Sequence, residues 1–133
     1  MTPPAGSKPN PLLALILGWV IPGAGHAYAG RWGKATLFFS LITGLLVAGF
    51  ILGGLTNIQW NLWLAPQLCA GGPTLALWPL SEHFGTPGTI DWADRLREVG
   101  TLYTAVAGFL NLLVMMDAYI KLAYPHEGRK EDA

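Results

Sequence analysis

Between Lys34 and Glu82 the chain runs for 47 consecutive residues, 35 to 81, without one Asp, Glu, Lys or Arg. About 20 apolar residues suffice for a helical crossing of a bilayer, so this stretch is long enough for two crossings joined by a tight turn. A soluble domain of 133 residues has too small a core to hide so much uncharged chain. The sequence therefore points to an integral membrane protein.

Composition supports this. Only 12% of residues are charged, 52% are hydrophobic, and eight basic residues balance eight acidic ones. With no net field, nucleic acid is not an expected partner. Cys69 stands alone, which rules out an internal disulfide and offers no metal-ligand set. It reads as a small core residue.

Four apolar segments follow one another. The first, Leu12 to Ala29, is interrupted by Pro22, Gly23 and Gly25. Proline removes a backbone donor and glycine adds little helix stability. This segment is a helix that stops at the break, a half-helix that dips into the membrane, or a kinked span. The second, Ala35 to Leu55, is the cleanest span, with small residues four apart in the pairs Ser40/Gly44 and Gly49/Gly53. That spacing lets helix backbones approach closely. A polar turn (residues 56–61) with Trp60 and Trp63 around it leads to the third segment, Leu62 to Leu80. Pro66, Gly71, Gly72, Pro73 and Pro79 predict a kink or an unwound middle there. Over Thr89–Val99 the apolar residues Trp92, Ala93, Leu96 and Val99 share one side. This predicts a short surface helix with Thr89 as N-cap and Gly100 as its stop. The fourth segment, Thr101 to Ala123, carries Tyr103, Ala107, Asn111, Val114 and Ala118 on one stripe, expected to face other helices.

The expected fold is thus all-α: an integral membrane bundle of three to four helices, with broken first and third segments and one amphipathic surface helix. Residues 1–11 read as a disordered tail, 12–123 as a single transmembrane domain and 124–133 as a polar tail. If all four segments cross, basic residues divide four against four between the two sides. If the first re-enters, they divide five against three, slightly favouring a cytoplasmic Arg31/Lys34 side.

Two stretches concentrate chemistry. The first is PGAGHAYAGR, residues 22–31, where flexible backbone meets His26, Tyr28 and Arg31. The second is GTLYTAVAGFLNLLVMMDAY, residues 100–119, with Asn111 and Asp117. Asp117 is the one formal charge well inside an apolar segment, and a charge at such depth is costly unless paired or wetted. Lys121 lies one helical turn on, and His26 or Arg31 could reach it from the other stretch. We expect a latch between Asp117 and the His26/Arg31 turn rather than a proton path, which recruits several ionisable groups. No second ligand stands at metal spacing from His26, and no cofactor is expected. Without a nucleophile motif, phosphate loop or acid/base pair, the chain does not read as an enzyme.

The first stretch resembles a PGxGHxYxGR signature that ends the opening span in small bacterial membrane proteins. It is more loosely similar to the turn of the two-transmembrane-helix domain family, although here two further apolar segments separate the signatures. The second stretch resembles the C-terminal signature of an uncharacterised bacterial four-span family, known only as a domain of unknown function. The resemblance implies a multi-pass protein of the bacterial inner membrane and supplies no activity. Lys8, Leu12–Ile21 and Ala27-Tyr28-Ala29 also fit a cleaved signal peptide, but cleavage would cut through the first signature. The functional expectation is a structural or accessory subunit. Its partners would be the lipid bilayer and either a second copy or a larger membrane complex. The alternative is a minimal transporter for an ion or small solute.

Overall fold

The computed structural model describes residues 8–58, 62–84 and 95–125. Among them are six helices and no strand: α1 (Pro11–Val20), α2 (Ala24–Tyr28), α3 (Trp32–Leu52), α4 (Leu64–Leu68), α5 (Gly72–Phe84) and α6 (Arg95–Ala123). Only α3 and α6 are long and apolar enough to cross a membrane. At 1.5 Å per residue they measure about 32 and 44 Å, against a hydrocarbon core of about 30 Å. They run antiparallel. Gly49 of α3 and its C-cap Gly53 meet Gly100 of α6 at one end, where a Cβ on Gly49 or on Gly100 would strike the facing backbone. Ile42 and Leu46 share a core with Ala107 and Val114 further along.

The first apolar segment is a half-helix that doubles back. Asn10 starts α1 by accepting from the Leu12 N–H at 3.0 Å, with Pro11 at the first helical position, where its missing N–H is harmless. Pro22 ends the helix by driving Ile21 into extended backbone (φ −132°, ψ 117°). Helix α2 then returns alongside α1. The Asn10 N–H donates to the Tyr28 hydroxyl at 3.3 Å, and Gly25 lies against the Ala14 carbonyl.

The third segment does the same from the other end. The entry to α4 and the exit of α5 both lie beside Ile58, which packs on Leu64 and whose N–H donates to the Ser81 hydroxyl at 3.1 Å. The two hairpins meet tip to tip midway along α6. There the Trp19 and Val20 carbonyls press on Gly71 and Gly72, so closely that neither glycine could carry a Cβ. The Trp19 indole N–H donates to the Leu68 carbonyl at 3.0 Å. Hairpin, long helix, hairpin, long helix is the chain's order, with the second pair inverted relative to the first.

Two expectations change. Gly100 is not a helix stop: α6 starts at Arg95 and continues through it, because Gly100 packs against Gly53 and needs no turn. The rest of the expected surface helix, residues 89–94, lies outside the described residues, as do residues 1–7, 126–133 and Trp60. Cys69 is only half-buried, and it contributes to the core through its backbone carbonyl rather than its thiol.

Candidate functional site

Helix α6 carries a ladder of polar groups that reach the other helices, with Thr104 and Asn111 on one buried stripe and Asp117 about 120° round the helix from it. Thr104, Asn111 and Asp117 stand along about 20 Å of helix. Every break in a helix leaves carbonyls and N–H groups without intrahelical partners, and burying them unpaired costs about 1–3 kcal/mol each.

Asn111 is fully buried at the meeting point of the hairpins. Its side-chain amide donates to the Gly18 carbonyl at 3.2 Å and the Cys69 carbonyl at 2.9 Å. One side chain thus satisfies an open carbonyl from each hairpin. Thr104, also fully buried, accepts from the Gln67 amide at 2.8 Å. Gln67 donates as well to the Asn57 carbonyl at 3.1 Å, and Asn57 donates to the Gly49 carbonyl at 3.2 Å. The Thr74 hydroxyl closes the α4–α5 turn by donating to the Gln67 carbonyl at 2.7 Å. Nearby, Gly108 lies so close to the Pro66 carbonyl that a Cβ would overlap it.

At the opposite end of the ladder Asp117 Oδ2 lies 2.9 Å from His26 Nε2. A carboxylate only accepts, so the imidazole presents Nε2–H to it. Lys121 closes on the same carboxylate at 3.1 Å, one turn along α6. His26 is 1% exposed, whereas the Asp117 side chain is 41% exposed, so the charged group sits at the rim of the bundle and not in its centre. The His26 ring meets Phe38 edge-on at 5.1 Å between centroids. A pocket of about 80 Å³ opens here, lined by His26, Ala29, Arg31, Ala118, Lys121 and Leu122.

Of the five residues singled out in the sequence, the structure brings together His26 and Asp117 directly and Arg31 around the shared pocket. Tyr28 lies behind them on the α1–α2 hairpin, and Asn111 lies deeper along α6, apart from the rest. Asp117 is latched to His26; no bond joins it to Arg31 among those described. Sequence reasoning missed Gln67 and Thr104, and it placed Tyr103 on the buried stripe, although Tyr103 is 41% exposed and Thr104 takes that position. The available signal was Gln67 itself, a strongly polar side chain in the middle of an uncharged run.

No curated protein and no solved structure matches the chain significantly. A family model does, over residues 13–131, nearly the whole chain. That span takes in both hairpins, both long helices and the full ladder on α6, and the chain belongs to the Family of unknown function (DUF6677).

Proposed function

We propose that this is a small integral membrane protein, with α3 and α6 crossing the bilayer and the two hairpins entering from opposite sides. Its role in this reading is structural or accessory, not catalytic. The observation that carries the reading is the use of the buried polar side chains. Thr74 and Asn111 bond carbonyls of the broken helices α4 and α1, while Asn57, Gln67 and Ser81 bond backbone groups at the end of α3 and in the non-helical segment that follows it. Irregular backbone is tolerated at membrane depth only where protein satisfies it, and these residues do that work. Their arrangement serves rigidity more than passage.

With both hairpins returning to their own sides, Lys8, Arg31, Lys34 and Lys121 gather at one end, against Arg95 and Arg97 at the other. Arg129 and Lys130 follow α6 in the sequence. The excess of basic residues favours a cytoplasmic location for the end that holds His26 and Asp117.

The association surface in this reading is the outer face of α3. Of its two small-residue pairs, Gly49/Gly53 is taken up inside the chain by Gly100. Ser40, Gly44 and Ala48 form a second row that points outward and is exposed. Nothing lies within 4 Å of a Cβ placed on Gly44, so Gly44→Leu leaves the fold intact while blocking close helix contact. Cross-linking in native membranes, followed by mild-detergent sizing, should show an assembly in the wild type that Gly44→Leu loses. A wild type that is strictly monomeric, or an assembly indifferent to Gly44→Leu, overturns the reading.

A minimal transporter is the second reading, favoured by the tip-to-tip meeting of two half-penetrating hairpins, a geometry that places sites at mid-membrane in transporters. Asp117→Asn separates the two. Loss of ion or solute flux in liposomes with the fold intact favours transport, and loss of assembly favours the latch.

A further inference from the structure

We propose that His26, Asp117 and Lys121 form a proton-operated switch, in which a proton taken up by His26 releases Lys121 from Asp117 and loosens the last turn of α6. One carboxylate oxygen is shared by two donors: Asp117 Oδ2 accepts from His26 Nε2 at 2.9 Å and from Lys121 Nζ at 3.1 Å. With the imidazole neutral, Nε2 carries the ring's one proton, and the charges of Asp117 and Lys121 cancel. The other ring nitrogen, Nδ1, is buried and has no partner among the described residues. It is the atom left to take a second proton. Imidazole is the side chain whose ordinary charge change falls between pH 5 and 8.

Burial decides which cation keeps the carboxylate once that proton arrives. His26 is 1% exposed, and a buried charge is costly unless it is paired. The ring is held by α2 and meets Phe38 edge-on. Lys121 stands in the last turn of α6, and its flexible stem can carry the ammonium to water. Two like charges beside one oxygen repel, and the mobile one leaves. The pocket of about 80 Å³ is lined by both His26 and Lys121. It is roomy enough for water, which brings the proton to the ring and then solvates the freed ammonium; no other bond is made or broken. The packed elements offer no second counter-charge. Helix α1 carries no titratable residue, α2 adds Tyr28, α3 adds Lys34, and α6 adds Tyr119. Arg31 also lines the pocket, but it has an interaction of its own and the same charge in both states. Asp117 is the one acid at this end among the described residues.

The test is nitrogen-15 NMR of the histidine rings in the full chain in detergent. The His26 signal is the one that remains when His83 and His126 are replaced by glutamine. Above its midpoint the ring should show Nε2–H alone, and below it both nitrogens should carry protons. Lys121→Gln should raise that midpoint by about one pH unit, and Asp117→Asn should lower it by at least as much. Lys121→Met, which keeps the apolar stem, repeats the first change. Thermal unfolding then reads the release itself. Lys121→Gln should lower the unfolding temperature by about 3 °C above the midpoint and leave it unchanged below. Circular dichroism confirms that each variant is folded. A His26 ring that does not titrate between pH 8 and 4 overturns the proposal. So does a midpoint that both Lys121 variants leave in place or lower. Equal thermal losses on the two sides of the midpoint show that Lys121 is not released, and overturn it as well.

Discussion

Two turns in this protein have the same local design and opposite surroundings. In each, a five-residue helix ends in a left-handed glycine, Gly30 (φ 77°) after α2 and Gly71 (φ 71°) after α4. In each, that glycine's N–H closes on the carbonyl three residues back, Ala27 or Leu68, at 2.9 Å. In each, the residue four before the glycine is a buried polar group aimed at α6: His26 toward Asp117, Gln67 toward Thr104. Yet the first turn lies at the rim, and the second lies at the bundle's centre against Trp19. The ionisable pair stands where its carboxylate is partly exposed, and the neutral pair stands where both side chains are fully buried. Burying an unpaired charge is far more expensive than burying an amide, so position along α6 decides which chemistry each turn can use.

The glycines give the sharpest contrast. Gly71→Ala adds a Cβ both to a left-handed backbone and into the Trp19 carbonyl, whereas a Cβ on Gly30 meets nothing within 4 Å. Gly30→Ala should lose about 1 kcal/mol, the cost of the backbone conformation alone. Gly71→Ala should lose about 3 kcal/mol or more, since overpacking adds to that cost. Thermal unfolding followed by circular dichroism in detergent measures both. Similar losses would mean that the hairpin tips do not meet as described.

Second in size is Asn111→Ala. It strands the Gly18 and Cys69 carbonyls together, and at about 1–3 kcal/mol for each unsatisfied group it should destabilise by about 2–4 kcal/mol in the same assay. Gln67→Ala breaks the link between Asn57 and Thr104 and should come close behind. If either variant unfolds like wild type, water reaches those carbonyls and the centre is not dry.

The long helices were legible because their signal is length and apolarity: Ala35 to Leu55 anticipates α3 to within a few residues. The breaks at Pro22 and around Gly71 to Pro73 were legible as breaks, because proline and glycine act locally. The direction taken after each break was not, because it depends on contacts between residues far apart, such as Trp19 with Leu68 and Asn111 with Gly18. The His26–Asp117 latch could be anticipated because a charge in an apolar segment demands a partner. The Gln67–Thr104 contact could not, since neutral amides and hydroxyls find partners in many arrangements: Gln67 stands out in an uncharged run, but nothing in the sequence names its partner. Likewise Gly100 looks like a stop in one dimension and proves to be a packing contact in three.

The smallest expected effect is also the one that best isolates charge from shape. Asp117→Asn keeps the size of the side chain and its ability to accept from His26, but removes its attraction for Lys121. For a partly exposed pair the loss should be about 0.5–1 kcal/mol, and added salt should shrink the difference between wild type and variant. Thr104→Val is the matching change at the other turn. It keeps the shape, leaves the Gln67 amide short of an acceptor, and should cost more than Asp117→Asn while showing no response to salt. Double-mutant cycles for His26/Asp117 and Gln67/Thr104 at low and high salt would set the two side by side. A salt-sensitive coupling at Gln67/Thr104, or a salt-independent one at His26/Asp117, would show that the rim and the centre are not the two environments that the burial of these four side chains indicates.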